Sequence, residues 1–259
     1  MKKINYFSLA ALLILSLCSF SYAQFQEEES SPRISIKPGI GFEYFSRTIS
    51  WDDDKYSSNL KSYFFILNVE FEIQEGFSLN ALAGYSFSNF DSLIFRELPF
   101  SVELDVGDMS GFLFGGEIKK SIFSINDFEV EGLGQFVYYL GSKKEWDIPD
   151  LNVEGSVTGK PWWMRASAGP VITYTGFDYF YPYIYLSYNK LWGKFKMEQT
   201  IQELSGSEDK KITGKSVFST SLGAIYEVFD ALTLKAEASF MPYNKGLDFG
   251  VMLRAMYSF

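Results

Sequence analysis

The chain has 259 residues; 19% are Phe, Tyr or Trp, 21% are charged, and 23 Lys and Arg stand against 32 Asp and Glu. So aromatic a chain is not disordered, since disorder belongs to sequences too poor in apolar side chains to offset the entropy of ordering. It is not a helical membrane protein either, because beyond the N-terminus no run reaches the ~18 apolar residues that such a span needs. There is no His, so the side chain used most for general-base, proton-shuttle and metal-ligand work near neutral pH is missing.

Residues 1–23 read as an export signal peptide. Lys2 and Lys3 form a basic start, 7–20 is apolar, and Ser21 and Ala23 place small residues at −3 and −1 of a cleavage site before Gln24. The rival reading, a retained membrane anchor, needs a longer apolar stretch. The single cysteine, Cys18, lies inside this segment, and Leu17 before it does not fit a lipoprotein box. Cleavage leaves no Cys, hence no disulfide, thiol catalysis or Cys-held metal. It also leaves 21 Lys and Arg against 32 Asp and Glu, a formal charge of −11, which argues against nucleic acid as a partner. Residues 24–32 form an acidic, flexible tail with Glu27, Glu28 and Glu29.

From 33 to 259 the chain keeps one character, with nothing to mark a second domain. Apolar and polar residues alternate with period two, as in a strand with unlike faces. Tyr63, Phe65, Leu67, Val69, Phe71 and Ile73 share one face, with Phe64, Asn68, Glu70 and Glu72 on the other. Phe77, Leu79, Ala81, Ala83, Tyr85 and Phe87 oppose Ser78, Asn80, Gly84 and Ser86. Leu232, Leu234, Ala236, Ala238 and Phe240 oppose Thr233, Lys235, Glu237 and Ser239. Phe249, Val251, Leu253, Ala255, Tyr257 and Phe259 oppose Gly250, Arg254 and Ser258. In all, the pattern predicts ten strands at 33–49, 59–74, 77–90, 108–124, 128–141, 159–176, 180–203, 214–228, 231–242 and 246–259.

Tight connections (74–76, 125–127, 177–179, 229–230) alternate with mostly longer polar ones (50–58, 91–107, 142–158, 204–213). A transmembrane barrel has this alternation, with short periplasmic turns and both termini on that side when the strand number is even. A soluble sandwich or carrier barrel alternates too, with its apolar face turned to the core. Segment length favours the membrane: many exceed the ~5 to 6 residues of globular strands and reach the ~9 to 11 that a tilted strand needs to cross. Aromatics also gather at segment ends, as in Trp162-Trp163, Tyr138-Tyr139 and Phe180-Tyr181, which suits interfacial girdles. The chain closes on Leu253, Tyr257 and Phe259 in alternation. This ending resembles the C-terminal assembly signal of bacterial outer-membrane proteins, and residues 33–259 resemble an outer-membrane β-barrel of general porin-like or OmpA- and OmpX-like type.

The resemblance implies an all-β, transmembrane, antiparallel up-and-down barrel of about ten strands, with eight or twelve also compatible, strand one closing on strand ten. It implies location in the bacterial outer membrane after export, with outer-membrane lipid and the barrel assembly machinery as partners. If the apolar faces meet lipid, the lumen receives Lys37, Glu70, Glu72, Glu117, Lys119, Glu129, Glu131, Arg165, Lys235, Glu237 and Arg254, with Glu43 beside them. In an interior little wider than side chains can fill, such opposite charges are expected to pair and close it; a narrow polar pathway is the alternative.

The well-known outer-membrane barrel enzymes, such as the omptin proteases, the phospholipases and the lipid A-modifying barrels, use a catalytic His. The pairs Glu70/Glu72 and Glu129/Glu131 suit acid–base work on sugars but read more simply as members of the charge network. In the outer loops, Asp52, Asp53 and Asp54 lack calcium-loop spacing. Trp51 and Trp146 suit either a glycan or partner contact or packing of loop on loop. The expectation is a non-enzymatic barrel without cofactor or metal, acting through acidic loops, with an extracellular partner, or as a narrow passive pore. The rival is a secreted or periplasmic carrier of an apolar ligand.

Overall fold

The structure is a computed structural model that describes residues 34–51, 56–91, 93–95, 97–99, 102–104, 107–147, 155–229 and 231–258. The signal segment, the acidic tail, Asp52, Asp53, Asp54 and Phe259 lie outside them. The strands are β1 (Ser35–Trp51), β2 (Tyr56–Gln74), β3 (Phe77–Phe90), β4 (Leu93–Phe95), β5 (Val102–Leu104), β6 (Asp108–Ile125) and β7 (Phe128–Gly141), then β8 (Lys144–Asp147), β9 (Gly155–Tyr174), β10 (Phe180–Ile201), β11 (Leu204–Gly214), β12 (Phe218–Phe229), β13 (Leu232–Tyr243) and β14 (Gly246–Tyr257). β4 and β5 pair only with each other; the remaining twelve form one antiparallel sheet that closes into a ring.

The alternation turns the apolar face outward. Phe65, Leu67, Phe112 and Leu253 are more than half exposed on the outer wall, while Asn68 and Arg254 beside them are buried inside. A soluble sandwich has the opposite arrangement. The tight turns need left-handed residues, supplied by Gly76 (φ 71°) between β2 and β3 and Asn126 (φ 50°) between β6 and β7.

The ring changes strand number along its axis. At the end carrying the termini it runs β1-β2-β3-β6-β7-β9-β10-β12-β13-β14 and closes through eight residue pairs, Gly39↔Met256 to Ser46↔Phe249. Further up, β10 leaves β12 at Tyr188↔Phe218 and pairs with β11 from Trp192↔Thr213 onward. β11 then meets β1 at Ile49↔Gly214 and Ser50↔Thr213. One strand takes the place of three, so the ring has ten strands near the termini and eight at the opposite end.

This corrects three sequence expectations. The stretch 204–213 is a strand rather than a loop, and the eighth long strand starts at Phe218, not at 214. The loop 142–158 likewise holds β8 and the start of β9. β11 escapes the pattern because neither of its faces is apolar throughout: Glu208 and Lys210 point inward, Asp209 and Lys211 outward.

An eight-strand ring is just wide enough for side chains to fill, and the narrow end is filled. Phe45, Phe64, Phe90, Phe95, Tyr139, Trp163, Leu191, Phe195, Met197 and Ile212 form a buried apolar core there. Gly193 makes room for it, since a Cβ at that position would sit 2.7 Å from the Trp163 Cα. Phe64→Ala should cost ~3–5 kcal/mol of stability, the loss of a buried ring plus its cavity. Phe65→Ala, one residue along and on the outer wall, should cost less than half of that. Denaturant unfolding of the two refolded variants checks the inside-out order.

Candidate functional site

The lumen divides into three levels. At mid-height a polar web crosses it from wall to wall. Arg165 on β9 pairs with Glu43 on β1 and donates to Gln135 Oε1 on β7 at 3.2 Å. Gln135 donates on to Glu117 of β6 at 2.5 Å. Glu117 also takes a bidentate grip from Arg254 of β14, both bonds 2.7 Å, and a bond from Asn80 Nδ2 of β3 at 3.0 Å. Bidentate guanidinium–carboxylate contacts are the strong, directional form of the ion pair. Here they tie strands on opposite sides of the ring.

Below the web, toward the tight turns, lies a cavity of about 290 Å³. Lys119 pairs with Glu131 at 3.1 Å and Lys37 with Glu72 at 3.0 Å. Glu70 and Glu129 line the cavity without an ion pair among the described residues. Tyr183 donates to Glu237 at 2.7 Å, and the Lys235 ammonium sits 5.0 Å from the Tyr183 ring. Val171, Tyr183, Leu133 and Ile225 give one side of the cavity an apolar patch beside Thr173 and Thr175.

Above the web the aromatic core closes the passage. Trp163 stacks on Tyr139 at 5.2 Å and meets Phe45 and Phe64 at 5.5 and 5.7 Å. Phe195 receives Phe90 at 5.3 Å and, from the segment between β3 and β6, Phe95 at 5.7 Å. That segment is pinned at the mouth by the Glu97 amide, which donates to Glu208 on β11 at 2.8 Å.

Every charge expected in the lumen is on the inner wall, and the structure brings Glu117 with Arg254, Lys119 with Glu131, and Lys37 with Glu72. Arg165 and Glu43 are central to the web. Leu253 lies on the outer, apolar face of β14 and Tyr257 is exposed at its end. Trp51 is buried in the aromatic core and Trp146 packs against it, so both join the packing rather than standing out as contact residues. Sequence reading missed Arg47, Asp248 and Gln135. Arg47 shares the inward phase of Glu43, and that phase was the available signal. Among the described residues no three His, Cys, Asp or Glu side chains form a metal-sized cluster.

No protein-family model matches the sequence, and no curated protein does. Solved structures do match in shape. The outer membrane protease OmpT of Escherichia coli superposes with a TM-score of 0.54 at 11% identity, over 90% of this chain and 99% of that one. The chain has a bacterial outer-membrane β-barrel-like fold. The translocator domain of the autotransporter NalP from Neisseria meningitidis also matches, with a TM-score of 0.48 at 10% identity over 97% of each chain. The attachment invasion locus protein Ail of Yersinia pestis matches at 0.33 and 15% identity, over 87% of this chain and 99% of that one. At these identities the likeness concerns architecture, and chemistry must be argued from side chains.

Glu117→Gln leaves the Arg254 guanidinium buried without its counter-charge and should cost ~3–5 kcal/mol. The double change Glu117→Leu, Arg254→Leu removes both charges and should cost clearly less. Unfolding midpoints of the three proteins give the comparison.

Proposed function

We propose that the protein is a non-enzymatic, integral outer-membrane barrel whose lumen is closed to solutes and whose working surface is its narrow outer end. The observation that carries this reading is the pairing of an apolar outer wall with an interior blocked twice, by the charged web and by the aromatic core. A β-barrel is one of the two structures whose backbone is satisfied within lipid, and its termini and tight turns belong on the periplasmic side. Export through the N-terminal signal and assembly through Leu253, Tyr257 and Phe259 bring it there.

OmpT is a protease, and the shared architecture raises the same question here. Glu117, Glu131, Glu72 and Glu43 are each committed to a cation, so each of the pairs Glu70/Glu72 and Glu129/Glu131 has one member held in an ion pair. No His is present to act as base. A passive pore fits less well than a closed barrel, because the web spans the lumen and Trp163, Tyr139 and Phe64 are wholly buried above it. An apolar-ligand carrier fits less well still, since the strands' apolar faces point away from the cavity and Lys and Glu side chains share its lining with the small apolar patch.

The test is planar-bilayer conductance of the refolded mature chain together with its gel mobility before and after heating. Heat-modifiable mobility with a silent bilayer is the expected result. Steady conductance overturns the closed lumen, and solubility without detergent overturns the membrane location.

A further inference from the structure

On the outer wall of β9, β10 and β11, cross-strand register builds a lattice of cations. One row holds Lys160, Lys196 and Asp209; the next holds Trp162, Lys194 and Lys211; the next holds Met164, Trp192 and Thr213. Lys160 stands directly opposite Lys196, and Lys194 directly opposite Lys211. Like charges facing each other across a ladder destabilise a sheet, and two such pairs side by side are a cost that the fold alone does not require. Among the described residues two carboxylates form ion pairs with them, Asp209 with Lys194 at 3.4 Å and Glu198 with Lys196 at 2.7 Å. Lys160 and Lys211 have no ion pair among the described residues. Mutual hydrogen bonding raises the Lys196 ammonium and lowers the Glu198 carboxyl, so both remain charged at neutral pH.

The lattice has a pocket. A depression of about 140 Å³ is lined by Lys143, Thr158, Gly159, Lys160, Lys196 and Glu198. Three ammonium groups and one carboxylate give it a positive balance, on a chain whose exported part carries −11. A water occupies ~30 Å³ of liquid volume, so the depression has room for a tetrahedral oxyanion with part of its hydration.

Height then narrows the class of ligand. The apolar belt of this wall, with Ile184 and Leu186, ends at Tyr188; above it come Lys190, whose ammonium sits 6.0 Å from the Trp192 ring, and then Trp192 and Trp162. Tryptophans in that position mark the membrane–water interface, and lysines one to two rows beyond them stand at the level of lipid headgroups. We propose that Lys143, Lys160 and Lys196 form a binding site for a phosphoryl group, with Lys194 and Lys211 supplying the surrounding positive field. The placement rests on the membrane reading above, and an outer-leaflet lipid headgroup or free phosphate supplies the same chemistry.

The experiment titrates the refolded mature chain in zwitterionic micelles with dihexanoyl phosphatidic acid, inorganic phosphate and dihexanoyl phosphatidylcholine. Saturable binding of phosphatidic acid, weakened at least tenfold in Lys160→Gln, Lys196→Gln, is the expected result, with no saturable binding of phosphatidylcholine. Phosphatidic acid bound more tightly than phosphate assigns the site to lipid; equal affinity assigns it to free phosphate. Lys160→Glu turns an opposed pair into an ion pair, so it should raise the unfolding midpoint of the free protein while abolishing binding, a combination that misfolding does not imitate. Binding of neither anion, or unchanged affinity in these variants, by a chain that is heat-modifiable in gels overturns this site alone. A chain soluble without detergent overturns the membrane reading beneath it.

Discussion

Everything distinctive in this barrel depends on how the ring changes from ten strands to eight, and that change is held by Arg47. Where β14 ends, β1 loses its neighbour before β11 arrives, and the backbone there needs partners that no ladder supplies. Asp248 accepts from both the Thr48 amide and the Thr48 hydroxyl at 2.9 Å and from Ser216 at 2.8 Å. Arg47, wholly buried, donates to Asn189 of β10 at 2.7 Å and to the Ser216 carbonyl at 2.6 Å. Four segments meet around one guanidinium whose five donors have fixed directions. Burial pulls against its charge, so the site works by geometry more than by net attraction.

Ring width decides what each level contains. Eight strands leave an interior that side chains fill, and apolar side chains do so at the narrow end. Ten strands leave more room than the inward residues of this sequence occupy, hence the cavity below the web. The web lies between the two regimes, where paired arginines are long enough to reach across.

Much of this was legible in the sequence. Period-two alternation located the ten long strands, and the face rich in Glu, Lys and Ser was inward as expected. The aromatic filling was less visible, although Leu60, Phe64 and Ile66 stand in the polar phase of β2 and hinted at it there. β11 was invisible as a strand because water on one side and the Glu208–Lys210 pair on the other leave no apolar face to detect. The junction around Arg47 was out of reach in principle: Asn189 and Ser216 lie 142 and 169 residues away, and local pattern says nothing about such meetings.

β10 shows why one alternation runs unbroken for 22 residues while its chemistry inverts. In its first half Ile184, Leu186 and Tyr188 point outward and Ser187 and Asn189 inward. In its second half Leu191, Phe195 and Met197 point inward, while Lys194, Lys196 and Glu198 point outward. The phase of the strand is constant; under the proposed membrane location it is the solvent that changes. A polar lumen opposite lipid keeps the two faces unlike, and so keeps the register defined, because a one-residue slip would put Arg254 or Glu70 into hydrocarbon at ~2–4 kcal/mol for a basic side chain near the midplane. Above the membrane the same unlikeness survives only if the inside becomes apolar once the outside meets water. The inversion falls across Lys190 and Trp192, at the height where the ring narrows, so under the proposed membrane location a single boundary sets membrane edge, strand number and aromatic closure together.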